Sequence, residues 1–497
     1  MLFNSVEFLI FFPIVLLIYF VIPNKVKYLW LLIASYYFYM CWNAKYVLLL
    51  LFSTIVTYVS GLLLEKIKHT QLDDLHKRKH KNLVVALSFL LNISILFFFK
   101  YINWGLNIVS TFFQFINIEL NIPAFDIILP VGISFYTFQA LSYTMDVYRD
   151  EIYAEKNFFR YALFVSFFPQ LVAGPIERSK NLLKQLAVPS KFDFQRAKDG
   201  LLLMIWGYFL KIVIADRIAI FVDTVYGNYN TYTGCYLIIA TILFAIQIYC
   251  DFYGYSVIAM GAARILGIQL MENFNAPYLS TSVSEFWRKW HISLTSWFRD
   301  YLYIPLGGNK RGKVRKYVNI FIVFLVSGLW HGASLAYVIW GGINGIYQII
   351  GDMLQPVKNK IVSVCHFNRE SLGHKFICAI GTFVLIDFSW IFFRAGSTTG
   401  AIQIIKQMFV KNSWILFDGS LYNCGLDSKN FILLLICISI LLFSDYCKYK
   451  KIKIREIILK QDFWFRWIFF ICSILFILIF GIYGPSFDES NFIYFQF

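Results

Sequence analysis

The sequence predicts an all-α, polytopic integral membrane protein, and three observations carry that prediction. Apolar residues make up 59% of the 497 positions and charged residues only 15%, against roughly 25% charged in a soluble domain. Apolar runs near the roughly 20 residues needed to cross a bilayer recur from end to end. The basic residues behind the net charge of +16 gather in short loops between those runs, as the positive-inside rule requires. That loop placement also argues against nucleic-acid binding, which gathers cations on one face or stripe. No polar half stands apart, so one membrane-embedded body is expected. It divides into N-terminal helices over 1–126, a core over 127–400 and C-terminal helices over 401–497.

Taken in order, candidate spans lie near 5–22, 28–42, 46–65, 83–99, 127–144, 158–173, 201–221, 232–255, 317–332, 335–354, 376–393, 429–446 and 465–483. The first lacks a basic leader and a small-residue cleavage site, so it reads as a span rather than a signal peptide. The loops at Lys66–Asn82, Asn309–Lys316 and Lys448–Lys460 are basic and predicted to be cytosolic. Strict alternation then puts the basic stretch Arg178–Lys198 on the wrong face. Parity returns if 158–173 enters and leaves on one side. Pro169, Gly174 and Pro175 lie in or just after that run, and irregular backbone at membrane depth survives only where protein or a wet cavity covers it. A re-entrant or broken helix is therefore expected, and with it a cavity. No internal repeat is evident, which weighs against an inverted-repeat transporter.

The segment "FWRKWHISLTSWFRDYLYIPLGGNKRGK" begins at Phe286. At 100° per residue, Phe286, Trp290, Leu294, Trp297 and Tyr301 share one helical face, and Ser284, Arg288, His291, Thr295 and Arg299 the opposite one. This pattern predicts a single amphipathic helix at the interface, its aromatic side in the acyl region. Two readings of its cations stand: an anchor to anionic lipid, or a receiver for a phosphate-bearing donor at Arg288, Arg299, Lys310 and Arg311. Of seven histidines, His69, His76, His80, His366 and His374 lie in or beside charged loops, whereas His331 sits between apolar segments. Ionisable groups at that depth are costly and usually face a cavity. His331 is either a satisfied core histidine or a general base, since neutral imidazole can accept a hydroxyl proton near pH 7. Asp251, also within an apolar run, could orient a histidine or pair with an arginine. The nine cysteines are scattered without a C-x-x-C pair, so neither a metal site nor a disulfide framework is indicated. P-loop, G-x-S-x-G and H-E-x-x-H motifs are absent from the sequence.

The pairing of "EFWRKWHISLTSWFRDYLYIPLGG" with "SGLWHGASLAYVIWGG" resembles the membrane-bound O-acyltransferase (MBOAT) superfamily. "LPVGISFYTFQALSYTMDVYR", "SFFPQLVAGPIER", "YCDFYGYSVIAMGAARILGI", "WIFFRA" and the ending "NFIYFQF" are similar to its bacterial branch. That branch contains the alginate O-acetyltransferase membrane subunit and polysaccharide- and peptidoglycan-acetylating relatives. The match runs from about residue 128 onward. The resemblance implies a helical shell around a central funnel, with re-entrant and interfacial helices, in a bacterial inner membrane. It implies His331 as the catalytic histidine, His291 as the second active-site position, and Arg178 as a donor contact or a shaper of the re-entrant element. The implied reaction carries an acetyl group from acetyl-coenzyme A, with no permanently bound cofactor, towards the outer face. There a separate extracytoplasmic serine-dependent (SGNH-like) acetyltransferase would modify an exported polysaccharide such as alginate, cellulose, a wall polymer or peptidoglycan. A permease or flippase, or a non-catalytic scaffold of an export complex, is the competing expectation.

Overall fold

A computed structural model describes residues 1–118, 125, 129–483 and 493, and among these residues the regular elements are helices, with no strand. The chain falls into two compact units. The first comprises Met1–Leu201 and Ala259–Met271, the second Leu202–Ile258 and Glu272–Phe497.

The first unit holds α1 (Val6–Val21), α2 (Lys27–Met40), α3 (Val47–Lys68), α4 (Asp74–Phe115), α5 (Ile133–Tyr148), α6 (Phe158–Ser166), α7 (Phe168–Leu171) and α8 (Ser179–Ala187). It also holds the start of α9 (Phe194–Tyr208). Between apolar helices in a membrane, hydroxyl and amide side chains supply the specific contacts. Here Ser53 donates to Asn92 between α3 and α4, Tyr161 donates to Thr57 at 2.7 Å between α6 and α3, and Ser88 and Thr144 pair α4 with α5. Gly61 leaves room on α3 for the Tyr143 ring, which a Cβ would meet at 2.6 Å.

The expected break in 158–173 is present, between α6 and α7 at Phe167. Its loose ends are satisfied internally: Phe168 N–H donates to Ser35 Oγ at 3.1 Å, and the Phe164 carbonyl accepts from both Gln139 and Gln170. Residues 161–179 are all buried, so protein covers the irregular backbone. The basic loop Lys66–Asn82 is shorter than expected, because α3 runs to Lys68 and α4 begins at Asp74. Asp74 in the first turn and good helix formers after it turn most of that stretch into helix. The span expected at 127–144 is α5, shifted to Ile133–Tyr148, with 127–128 outside the described residues. The terminal motif "NFIYFQF" also lies outside them, apart from Ile493.

The second unit continues α9 through a π-helical segment, Phe209–Ala215, into α10 (Asp216–Gly227), so the span expected at 201–221 is interrupted. It contains most of α11 (Cys235–Ile265), then α12 (Val283–Lys289), α13 (Ile292–Phe298), α14 (Gly312–His331) and α15 (Leu335–Met353). After them come α16 (Gln355–Val364), α17 (Leu372–Ala395), α18 (Thr398–Met408), α19 (Ser428–Tyr449), α20 (Ile454–Leu459) and α21 (Phe463–Phe480). Small residues set the closest crossings. A Cβ on Gly328 of α14 would sit 2.2 Å from the Tyr337 carbonyl of α15, and one on Gly341 of α15 equally close to the Phe324 carbonyl of α14. Gly207 of α9 and Gly254 of α11 likewise approach backbone to backbone. One turn beyond them, Lys211 reaches Asp251 at 2.6 Å and Asp216 at 2.8 Å. The partner of Asp251 is thus a lysine from the neighbouring π segment, not the arginine or histidine expected from sequence.

Among the described residues, six helices are long and apolar enough to cross a membrane: Ala44–Lys68, Asp74–Phe115, Cys235–Ile265, Leu372–Ala395, Ser428–Tyr449 and Phe463–Phe480, with Val6–Val21 a shorter apolar helix. Leucine, isoleucine and phenylalanine side chains stand exposed along them, Phe443 and Ile468 among many, which suits lipid contact and not water.

Candidate active site

The sequence around Phe286–Tyr301 does not form one helix. α12 ends at Lys289, α13 starts at Ile292, and a π segment, Arg299–Tyr303, follows. The break falls on His291, whose backbone is left-handed at φ 43° and ψ 53°. A residue with a Cβ pays about 1–2 kcal/mol for that conformation. The aromatic face of the segment also differs from expectation. Phe286, Trp290, Leu294 and Trp297 are buried within protein, and Trp290 packs against Phe274, Tyr278 and Trp390. The aromatics anchor the segment in the second unit instead of in acyl chains.

The polar face survives the break. Ser284, Arg288, His291, Thr295 and Arg299 all line one cavity of about 1010 Å³. His331, the last residue of α14, lines the same cavity. The two histidines flank Trp330, whose ring lies 6.1 Å from the His291 ring and 4.9 Å from that of His331. Phe252 stands edge-on to His291 at 4.6 Å, and Trp340 and Phe393 stand edge-on to His331 at 5.1 and 5.2 Å. Both imidazoles are therefore gripped by aromatic walls and open on one side. His291 is in a connection between helices, where burial lowers its pKa to about 3 and keeps the ring neutral.

The cavity also reaches Lys316, near the start of α14, and Lys358 on α16. From Lys316 to His331 the axis of α14 rises about 22 Å at 1.5 Å per residue, so the cavity is deep. Lys316 is paired with Asp352 at 2.7 Å on its wall. Arg288 and Arg299 are exposed, with the Arg299 side chain turned to Asp300 at 2.9 Å. Lys310 and Arg311 stand exposed in the following turn and are not wall residues. That turn, with Gly307 and Gly308 at positive φ, is tied to α14 by Asn319, which donates to the Gly308 carbonyl at 2.9 Å. Arg178 lies in the first unit, buried at the residue before α8. The wall residues Lys358, Gln348 and Tyr347 had carried no sequence signal, since their role depends on where α15 and α16 pack.

A multi-pass helical membrane protein with two buried imidazoles on one cavity and cations along its wall has the equipment of a membrane group-transfer enzyme. Comparison with known proteins gives the group. The profile of the MBOAT, membrane-bound O-acyltransferase family, matches residues 38–393, and the chain belongs to that family. It is similar to a probable alginate O-acetylase AlgI of Pseudomonas syringae, 36% identical over 419 residues, covering 84% of this chain and 77% of that protein. A peptidoglycan O-acetyltransferase of Helicobacter pylori is 33% identical over 440 residues, covering 82% and 80%. A teichoic acid D-alanyltransferase of Bacillus subtilis is 30% identical over 238 residues, covering 44% and 58%. The protein is thus an O-acyltransferase of the membrane.

Proposed function

We propose that the protein takes an acetyl group from acetyl-coenzyme A on the cytosolic side of a bacterial inner membrane and passes it to a hydroxyl acceptor arriving from outside. The acceptor serves an extracytoplasmic serine-dependent, SGNH-like partner, which O-acetylates an exported cell-surface polysaccharide. One observation carries this reading: His291, His331, Arg288 and Arg299 line a single deep cavity. Arg288 and Arg299 receive the donor's phosphates by charge-assisted hydrogen bonds, and Lys310 and Arg311 extend the positive field beyond the wall. The depth of about 22 Å along α14 suits a donor whose thioester hangs on a long flexible arm.

A thioester is already activated, so the site needs to place a hydroxyl beside the carbonyl carbon and remove its proton. His331 accepts that proton as the new C–O bond forms. The carbonyl oxygen becomes anionic, and neutral His291 donates a hydrogen bond to it. The C–S bond then breaks, and the leaving thiolate takes the proton back from His331. A positioned base supplies about 10²–10⁴-fold, and held geometry supplies more. The test is His331→Ala in cells making the polymer. Loss of polymer acetylation with normal membrane insertion is expected, and wild-type acetylation would overturn the mechanism.

A further inference from the structure

The left-handed turn at His291 is bracketed by a short non-helical stretch, Asn273–Asn275. On the α12 side of the turn, Asn275 N–H donates to the Lys289 carbonyl at 3.0 Å. On the α13 side, Ile292 N–H donates to the Asn273 carbonyl at 2.9 Å and Ser293 N–H to Asn273 Oδ1 at 3.3 Å. The bracket is itself fastened. Asn273 Nδ2 donates to Ser256 Oγ on α11 at 3.0 Å, and Lys448 of α19 holds the Phe274 carbonyl at 2.7 Å and the Glu272 carboxylate at 2.9 Å. Ser256 is one helical turn from Phe252, the ring that walls His291. Asn273 and Ser256 are both buried, and neither lines the cavity.

We infer that Asn273 is a positioning residue for the acyl transfer: its side chain clamps the strained turn that points His291 into the cavity, and Ser256 sets the clamp. The inference rests on the role given to His291 above. An amide suits this position because one end accepts from the Ser293 backbone while the other donates to the serine hydroxyl. Without the clamp, the turn is released to relax towards an ordinary backbone conformation, and the imidazole moves off the point where the oxyanion forms. A misplacement of about 1 Å costs on the order of 100-fold in rate.

The experiment uses the full-length protein in liposomes, with acetyl-coenzyme A as donor and amide hydrogen exchange read alongside kinetics. Asn273→Ala is expected to lower kcat about 10- to 100-fold at unchanged donor KM and to quicken exchange at Ser293. Ser256→Ala, which keeps the acceptor end of the amide, is expected to lower kcat about 3-fold, and it serves if Asn273→Ala does not fold. In the His291→Ala background Asn273→Ala should cost nothing more. A wild-type kcat in Asn273→Ala, or losses that multiply in the double variant, would overturn the inference. If His291→Ala alone keeps the wild-type rate, the role of His291 falls. Exchange then judges the clamp separately: quickened at Ser293 it stands, unchanged it does not.

Discussion

Two polar groupings are buried in the second unit, and they are built on opposite terms. Around Lys211 the charges are formal and paired, one ammonium serving two carboxylates: it lies between Asp216 and Asp251, and the second oxygen of Asp251 accepts the Ile493 N–H at 2.8 Å. All three side chains are almost wholly enclosed. Around His291 and His331 the groups are aromatic rings without fixed charge, held by other rings, and facing open space. Burying a full charge is tolerable only if its partners come with it, so the first grouping has no side left for a substrate. An imidazole can be buried neutral and still exchange a proton. The difference teaches that buried polarity in this protein divides into a fastening and a working site.

Five changes test that division. The largest effect is expected at His331: Ala there should lower the acyl-transfer rate by about 10²–10⁴-fold, with the thermal midpoint of the purified protein little changed. Lys211→Met should do the reverse. It leaves two facing carboxylates and should destabilise the fold by about 3–5 kcal/mol, seen as poor yield and a lower midpoint in detergent. Replacing Lys211, Asp216 and Asp251 together with apolar residues of similar volume should recover most of that loss, which a catalytic triad would not allow. Gly341→Ala should cost about 1–3 kcal/mol by pushing α15 off α14, and because His331 ends α14 the rate should fall with stability. Lys316→Ala should change stability by only about 0.2–1 kcal/mol, since its pair with Asp352 is partly exposed.

The two groupings were not equally legible. His331 could be read from sequence because an ionisable residue among apolar neighbours is an anomaly that needs no third dimension. The polar set Ser284, Arg288, His291, Thr295 and Arg299 was found by helical periodicity. It converged on one cavity although the helix is broken, and Trp290 and Leu294 of the opposite face line that cavity as well. The opposite face was misassigned to lipid: aromatic residues look alike whether a bilayer or Trp390 receives them. The partner of Asp251 was missed because Lys211 lies 40 residues away and is brought near by a glycine pair whose closeness no local pattern reports. Asn273 was unreadable for the same reason, since an asparagine in a short non-helical connection gives no hint of the turn it ties.

One consequence of α4 remains. Its 42 residues span about 63 Å at 1.5 Å per residue, roughly twice the 30 Å hydrocarbon layer. Lying wholly within that layer would take a tilt of about 60°, beyond the range of roughly 0–40° that transmembrane helices adopt. Part of the rod therefore stands off the bilayer like a mast. Its leading end bears Lys77, Arg78, Lys79 and Lys81, so the mast is cationic where it leaves the layer. Anionic headgroups gathered around such a base would fix the depth and lean of the whole first unit, and lipid composition becomes a variable that sets how this enzyme sits.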